Sequence, residues 1–137
     1  MAFDRRSFLG GVLAVAGAMV LLPVRGVQAA VKKLGISLEK VPDLKTVGGS
    51  AILAVKGRSI LFVRDTETTV RALDPVCSHQ KCQVAYRKDG NRIECSCHGS
   101  RFGLDGSVQT GPATANLTTY PAELDAANGR IIVSVEE

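Results

Sequence analysis

All four cysteines and both histidines of this 137-residue chain fall in two short stretches, Cys77-Ser78-His79-Gln80-Lys81-Cys82 and Cys95-Ser96-Cys97-His98-Gly99-Ser100. Such residues gather when they serve one piece of chemistry, a metal centre or a set of disulfides. Each stretch offers one Cys-His pair at ligand spacing, Cys77-x-His79 and Cys95-x-x-His98, and one further cysteine, Cys82 or Cys97.

Two thiolates, two imidazoles and a leftover cysteine pair form the pattern of a [2Fe–2S] centre in which two His replace two Cys on one iron. On these residues the chain resembles the Rieske iron–sulfur proteins of the disulfide-bearing respiratory type, the cytochrome bc- and b6f-like heads and the related twin-arginine-exported ferredoxins. The resemblance covers roughly residues 36–135. A Cys2His2 zinc site is open on the same residues, because zinc takes S and N ligands at similar spacings; the chain would then be a zinc-stabilised binding module. Two structural disulfides with incidental histidines are open as well. Zinc leaves Cys82 and Cys97 without a role, and no helix carries two histidines a turn apart. The disulfide reading does not explain why no histidine stands elsewhere.

The resemblance implies roles residue by residue. Cys77 and Cys95 would hold the buried iron, and His79 and His98 the outer one. Two neutral imidazoles in place of thiolates put the potential well above that of all-cysteine plant-type ferredoxins, within roughly −150 to +300 mV. Cys82 and Cys97 would form a disulfide joining the two loops, closing the 14 residues 83–96, worth about 3 kcal/mol in the chain-entropy model. His98-Gly99-Ser100-Arg101-Phe102 aligns with the family's His-Gly-Ser-x-Tyr/Phe, so Gly99 and Ser100 would support the centre. Ser100 would donate its hydroxyl to a bridging sulfide, while Phe102 replaces a tyrosine donor of high-potential members. Pro112, in Gly111-Pro112-Ala113, matches the loop that covers a third side. One departure stands out: quinol-oxidising members usually carry Leu-Gly where this chain has Gln80-Lys81, which makes the tip more polar.

Asp4-Arg5-Arg6-Ser7-Phe8-Leu9 matches the twin-arginine export motif. The apolar stretch Phe8–Leu22 and the small-residue site Val27-Gln28-Ala29 follow it, in the order of a cleavable signal. Fifteen apolar residues fall short of the roughly 20 that span a bilayer, so cleavage after Ala29 is favoured over retention as an anchor. A disulfide needs an oxidising compartment, which agrees with a periplasmic or outer-face location. Residues 30–137 then form one small domain with 14 basic and 12 acidic residues, a charge near neutrality. No basic stripe or aromatic platform points to nucleic acid.

Beyond residue 35 the chain predicts an all-β domain of short strands between turn signals. Strand segments are expected at Ile36–Leu38, Ala51–Val55, Ile60–Arg64, Val70–Leu73, Val84–Tyr86, Arg92–Glu94, Leu117–Tyr120, around Leu124, and at Arg130–Val135. A single helical turn is expected near Pro42–Leu44. The resemblance implies stacked antiparallel sheets, with a cluster-binding subdomain of about 74–114 inserted in a base domain.

In function the chain reads as an exported one-electron carrier serving a periplasmic redox protein, a cytochrome c or an oxidoreductase subunit. The alternative is the Rieske subunit of a membrane quinol–cytochrome c oxidoreductase, working with quinol and cytochrome b. Neither reading gives the chain a catalytic site of its own, and a Rieske oxygenase is not expected at this length.

Overall fold

The computed structural model describes Gly26 and residues 29–137. The twin-arginine motif, the apolar stretch Phe8–Leu22, and Val27 and Gln28 of the cleavage site lie outside the described residues. Among the described residues, no helix is long and apolar enough to cross a membrane.

Among the described residues eleven strands follow one another as β1 (Val31–Ser37), β2 (Ser50–Val55), β3 (Arg58–Arg64), β4 (Val70–Leu73), β5 (Val84–Arg87), β6 (Arg92–Cys95), β7 (Arg101–Phe102), β8 (Val108–Thr110), β9 (Thr119–Tyr120), β10 (Ala122–Asp125) and β11 (Arg130–Glu136). They form three antiparallel sheets, ordered β1-β11-β10, β2-β3-β4-β9 and β5-β6-β7-β8. The all-β expectation holds, and the one helical turn expected near Pro42 is a 3-10 turn at Pro42–Lys45.

The four-stranded sheet β2-β3-β4-β9 is central because its residues serve two cores. Ile60 and Phe62 of β3 join Val70 and Ala72 of β4 and Ile131, Val133 and Val135 of β11 in one core. The alternate residues Leu61 and Val63, with Leu73, join Val84, Ile93, Cys95 and Phe102 of the third sheet in the other. Side chains along a strand point to opposite faces in turn. A strand buried on both faces therefore reads as a continuous apolar run, which accounts for Ile60-Leu61-Phe62-Val63. Lys56 and Gly57, at φ 53° and 76°, form the two-residue turn between β2 and β3. Two positive φ values match the right-handed twist of a tight hairpin.

Four elements depart from the sequence expectation, one of them β9, which holds only Thr119–Tyr120 of the expected Leu117–Tyr120. β1 begins at Val31 rather than at Ile36 and pairs along its whole length with β11, from Val31↔Glu136 to Ser37↔Arg130. Lys32, Lys33 and Gly35 hide it, since its ladder is formed with residues a hundred positions away. β7 and β8 are two and three residues long, below the length at which alternation can be read.

Arg64 is buried at the end of β3, yet among the described residues it pairs with no carboxylate. Its guanidinium donates to three backbone carbonyls: Thr66 O at 2.8 Å through Nε, Leu44 O at 3.1 Å and Glu67 O at 2.7 Å through the two Nη atoms. The planar fork suits three acceptors at once, whereas an ammonium is a compact point donor on a flexible stem. Arg64→Lys is expected to destabilise the fold by about 2 kcal/mol, because a buried carbonyl is left without its charged donor. A lower urea midpoint at unchanged slope is the measurement that shows it.

Candidate metal centre

The third sheet carries one of the two Cys/His loops and is tied to the other. In the register of β5 and β6, Val84 stands opposite Cys95 and Ala85 opposite Glu94. Extending that register beyond the ladder places Cys82 opposite Cys97. These two cysteines form a disulfide with Cα atoms 6.4 Å apart, inside the usual range for an unforced bridge. The disulfide expected from the sequence is present.

Both loops have the same backbone frame. In the first, Cys77 N–H donates to Cys82 O at 2.7 Å, and Lys81 N–H to Cys77 O at 2.9 Å. In the second, Cys95 N–H donates to Ser100 O at 2.8 Å, and Gly99 N–H to Cys95 O at 3.0 Å. Each is a five-residue turn closed by its leading cysteine. Its fifth residue, Lys81 or Gly99, lies in the left-handed region at φ 54° or 76°. His79 sits at the third position of one turn and His98 at the fourth of the other.

The frame separates the donors by exposure. Cys77 and Cys95 are each 1% exposed and belong to the second core, and both are free thiols. His79 and His98 are exposed, with ring centroids 5.0 Å apart and planes at 85°. Two soft ligands thus lie inside and two imidazoles at the surface.

The donor chemistry fits a [2Fe–2S] group better than a single zinc. Ligands on one tetrahedral zinc, at bonds of about 2.0–2.3 Å, stand within about 4 Å of one another. Among the described residues the trio gathered within 4.8 Å is instead Cys82, Cys95 and Cys97. Two of those sulfurs are spent in the disulfide, so the trio is not a ligand set. Cys77, Cys95, His79 and His98 are the thiol and imidazole donors left, and among the described residues no three of them are gathered around one point as a single zinc would require.

Ser100 is completely buried, and its Oγ accepts the Ala113 N–H at 3.0 Å. A hydroxyl has one donor and two acceptor lone pairs, so its proton is still free to donate. The side chain thereby fastens the segment after Pro112 to the second loop. Pro112 itself is exposed, whereas Ala113 is 3% exposed and packs in the core beside Cys77, Cys95 and Phe102. Phe102, completely buried, brings an apolar ring to that same core. Gly99 is exposed and supplies the left-handed turn.

Other fastenings were not legible in the sequence. Ser78 Oγ donates to Ala115 O at 2.6 Å, tying the first loop to the segment before β9. Asp74 Oδ1 accepts Val76 N–H at 2.9 Å. Asp followed by Pro is a known turn signal, and that signal could have found it. Asn116 Oδ1 accepts Val108 N–H at 3.0 Å, a contact with no sequence signature. Gly106, at φ 84°, lets the turn after β7 lie directly on Leu117, where a Cβ would stand 2.7 Å from Leu117 O. In that turn the Ser107 hydroxyl and N–H hold the Asp105 carboxyl below the usual range. On β5, desolvation and then the Asp65 charge raise the Tyr86 phenol.

Comparison with known proteins agrees with this geometry. Residues 36–121 match the Rieske [2Fe-2S] domain. The cytochrome b6-f complex iron-sulfur subunit of Chlorobaculum tepidum is 29% identical over 97% of this chain and 76% of its own length. The chloroplastic cytochrome b6-f complex iron-sulfur subunit of Arabidopsis thaliana is 33% identical over 72% of this chain, which spans 45% of that protein. In structure, the plasma membrane Rieske protein of the cyanobacterium Synechocystis PCC 6803 superposes with a TM-score of 0.60 at 24% identity, over 74% of this chain and 99% of its own. The chain belongs to the Rieske [2Fe-2S] domain family, and its cofactor is a [2Fe–2S] cluster.

A left-handed residue with a Cβ costs roughly 1–2 kcal/mol, and Lys81 carries that cost where Gly99 does not. Lys81→Gly is expected to raise stability by up to about 1 kcal/mol, since part of the gain is lost to the greater freedom of glycine in the unfolded chain. Lys81→Ala keeps the Cβ and should leave the stability unchanged. A gain in both variants would mean that the charge, not the backbone, is responsible.

Proposed function

We propose that this Rieske chain is an exported one-electron carrier that meets a redox protein partner through the exposed edge of His79 and His98. The observation that carries the reading is the partition of donors, two buried free thiols beside two surface imidazoles. On this reading Cys77 and Cys95 would hold one iron of the cluster and His79 and His98 the other. When bound, the cluster supplies a one-electron couple well above the potential of all-cysteine ferredoxins. The chain's own residues do the rest. Phe102, Ala113 and Leu117 keep water from the thiol side, Ser100 offers a hydroxyl proton inward, and the disulfide restrains the two loops. The imidazole edges are left open to a partner.

The export motif at Asp4–Leu9 supports an outer-face location. So does the disulfide, since thiols are kept reduced in a cytosol. We place the mature domain at residues 30–137, with about 74–114 as its cluster-binding part. Gln80 and Lys81 are both exposed at the tip, where a polar surface suits a transient, partly electrostatic contact. The second reading is a subunit of a quinol-oxidising complex. The alignment of nearly the whole chain with a cytochrome b6-f subunit favours it.

Two experiments test this. The native protein is expected to contain two irons and two labile sulfides per chain. Ser100→Ala should lower its potential by tens of millivolts and Phe102→Tyr should raise it, with iron content unchanged in both. One hydrogen bond to a charged group contributes at most about 1.5–3 kcal/mol, and about 59 mV is tenfold for one electron. Zinc in place of iron, or unmoved potentials in loaded variants, would refute the assignment. The second experiment is fractionation of the native host: a soluble holoprotein beginning after Ala29 is the expected outcome. An intact N-terminus in the membrane fraction, with a cytochrome b alongside, decides for the complex.

A further inference from the structure

The sulfurs of Cys95, Cys82 and Cys97 all lie within 4.8 Å of one another, although only the last two are bonded. A buried free thiol against a disulfide is the starting arrangement for thiol–disulfide exchange, in which a thiolate attacks one sulfur and expels the other. We infer that Cys95, once the cluster is lost, is the nucleophile that rearranges this bridge to Cys82–Cys95 and releases Cys97. The inference rests on the reading of Cys95 as an iron ligand, because ligation is what holds this sulfur back.

The direction follows from position. Attack on Cys82 expels Cys97, which is exposed, so the leaving thiolate emerges into water. Attack on Cys97 would expel the half-buried Cys82 and join two cysteines one residue apart within a tight turn. Cys77, the other free thiol, is not in the trio. The step balances without any outside reagent. A Cys95–Cys82 sulfur bond forms and the Cys82–Cys97 bond breaks. The electron pair stays on Cys97, and the proton given up by Cys95 is made good there from water. Nothing is oxidised or reduced overall, and two free thiols remain.

Geometry also supplies the gate. Cys82 stands opposite Cys97 in the extended register, so Cys95 is its diagonal neighbour, typically about 7–8 Å away between backbones. A bridge of that span needs backbone movement. Loops held around a cluster resist such movement, and loops without one give way. Loss of the cluster would therefore remove a ligand chemically, and the site could not be refilled until the original bridge was restored.

The test is disulfide mapping on the full-length holoprotein, isolated without reductant and acid-quenched before and after iron is stripped by a chelator under argon. Before stripping, Cys82–Cys97 is expected, with Cys77 and Cys95 free. After stripping, most of the protein should show Cys82–Cys95, with Cys97 alkylated and the total still two thiols per chain. Retention of Cys82–Cys97 with Cys95 alkylated overturns the inference. So does any link to Cys77, or a fall to zero thiols, which would signal oxidation instead. Alkylation of Cys95 under native conditions while the iron is still loaded would overturn the ligand reading rather than the exchange itself. As a second readout, reloading with iron and sulfide should fail in exchanged protein. It should recover several-fold after thiol reduction and re-oxidation of the bridge.

Discussion

Four cysteines within 21 residues must be kept in two different oxidation states, and the β5–β6 ladder is what sorts them. Cys95 is its last paired residue, opposite Val84, and its side chain is directed into the core. Cys82 and Cys97 come two residues past that pair, where the strands have ended and the turns have begun. They face each other at the rim, one half-buried and one exposed. Cys77 is held off by its own turn, closed by its N–H on Cys82 O. A slip of one residue would turn every side chain of the ladder to the opposite face, bringing Cys95 outward. The metal centre therefore depends on strand register before it depends on any ligand.

Register in turn depends on the central sheet. Leu61, Val63 and Leu73 form the floor on which Val84, Ile93, Cys95 and Phe102 pack. The same strands hold the β11 side through Ile60, Phe62 and Ala72. The thiol side of the site is thus lined with core residues, and burying these sulfurs costs little because a free cysteine behaves as a small hydrophobe. The histidine side is made of turn residues with no core role, and so it is open.

The sequence was most legible where chemistry or local rules act. The two Cys/His stretches stand out because such residues rarely cluster. The turn at Lys56-Gly57 is marked by its glycine, which takes the positive φ that a tight hairpin requires, and the Ile60–Val63 run stands out because it is long and apolar. The parts that escaped depend on distant partners. β1 is a strand because β11 lies beside it, and its own Lys32-Lys33 and Gly35 argue otherwise. β7 and β8 exist because Glu94 and Arg101 pair across β6 and β7, and Arg101 and Thr110 across β7 and β8. Ser100 was identified through the family motif, but its bond to Ala113 N–H joins residues 13 apart that no local pattern links. The division of donors by burial likewise required the two cores to be seen together.

The twin turns explain how two loops of different sequence make one site. Their hydrogen bonds are the same: the first cysteine's N–H goes to the sixth residue's carbonyl, and the fifth residue's N–H returns to that cysteine's carbonyl. What differs is where the histidine sits, third in one and fourth in the other. The sixth positions differ too. Cys82 bonds to the opposite loop, whereas Ser100 turns inward and accepts from the third segment. One repeated backbone motif thus gives a covalent tie on one side and a hydroxyl on the other. Lys81 shows that the motif tolerates a strained residue at its fifth position when the rest of the frame is fixed.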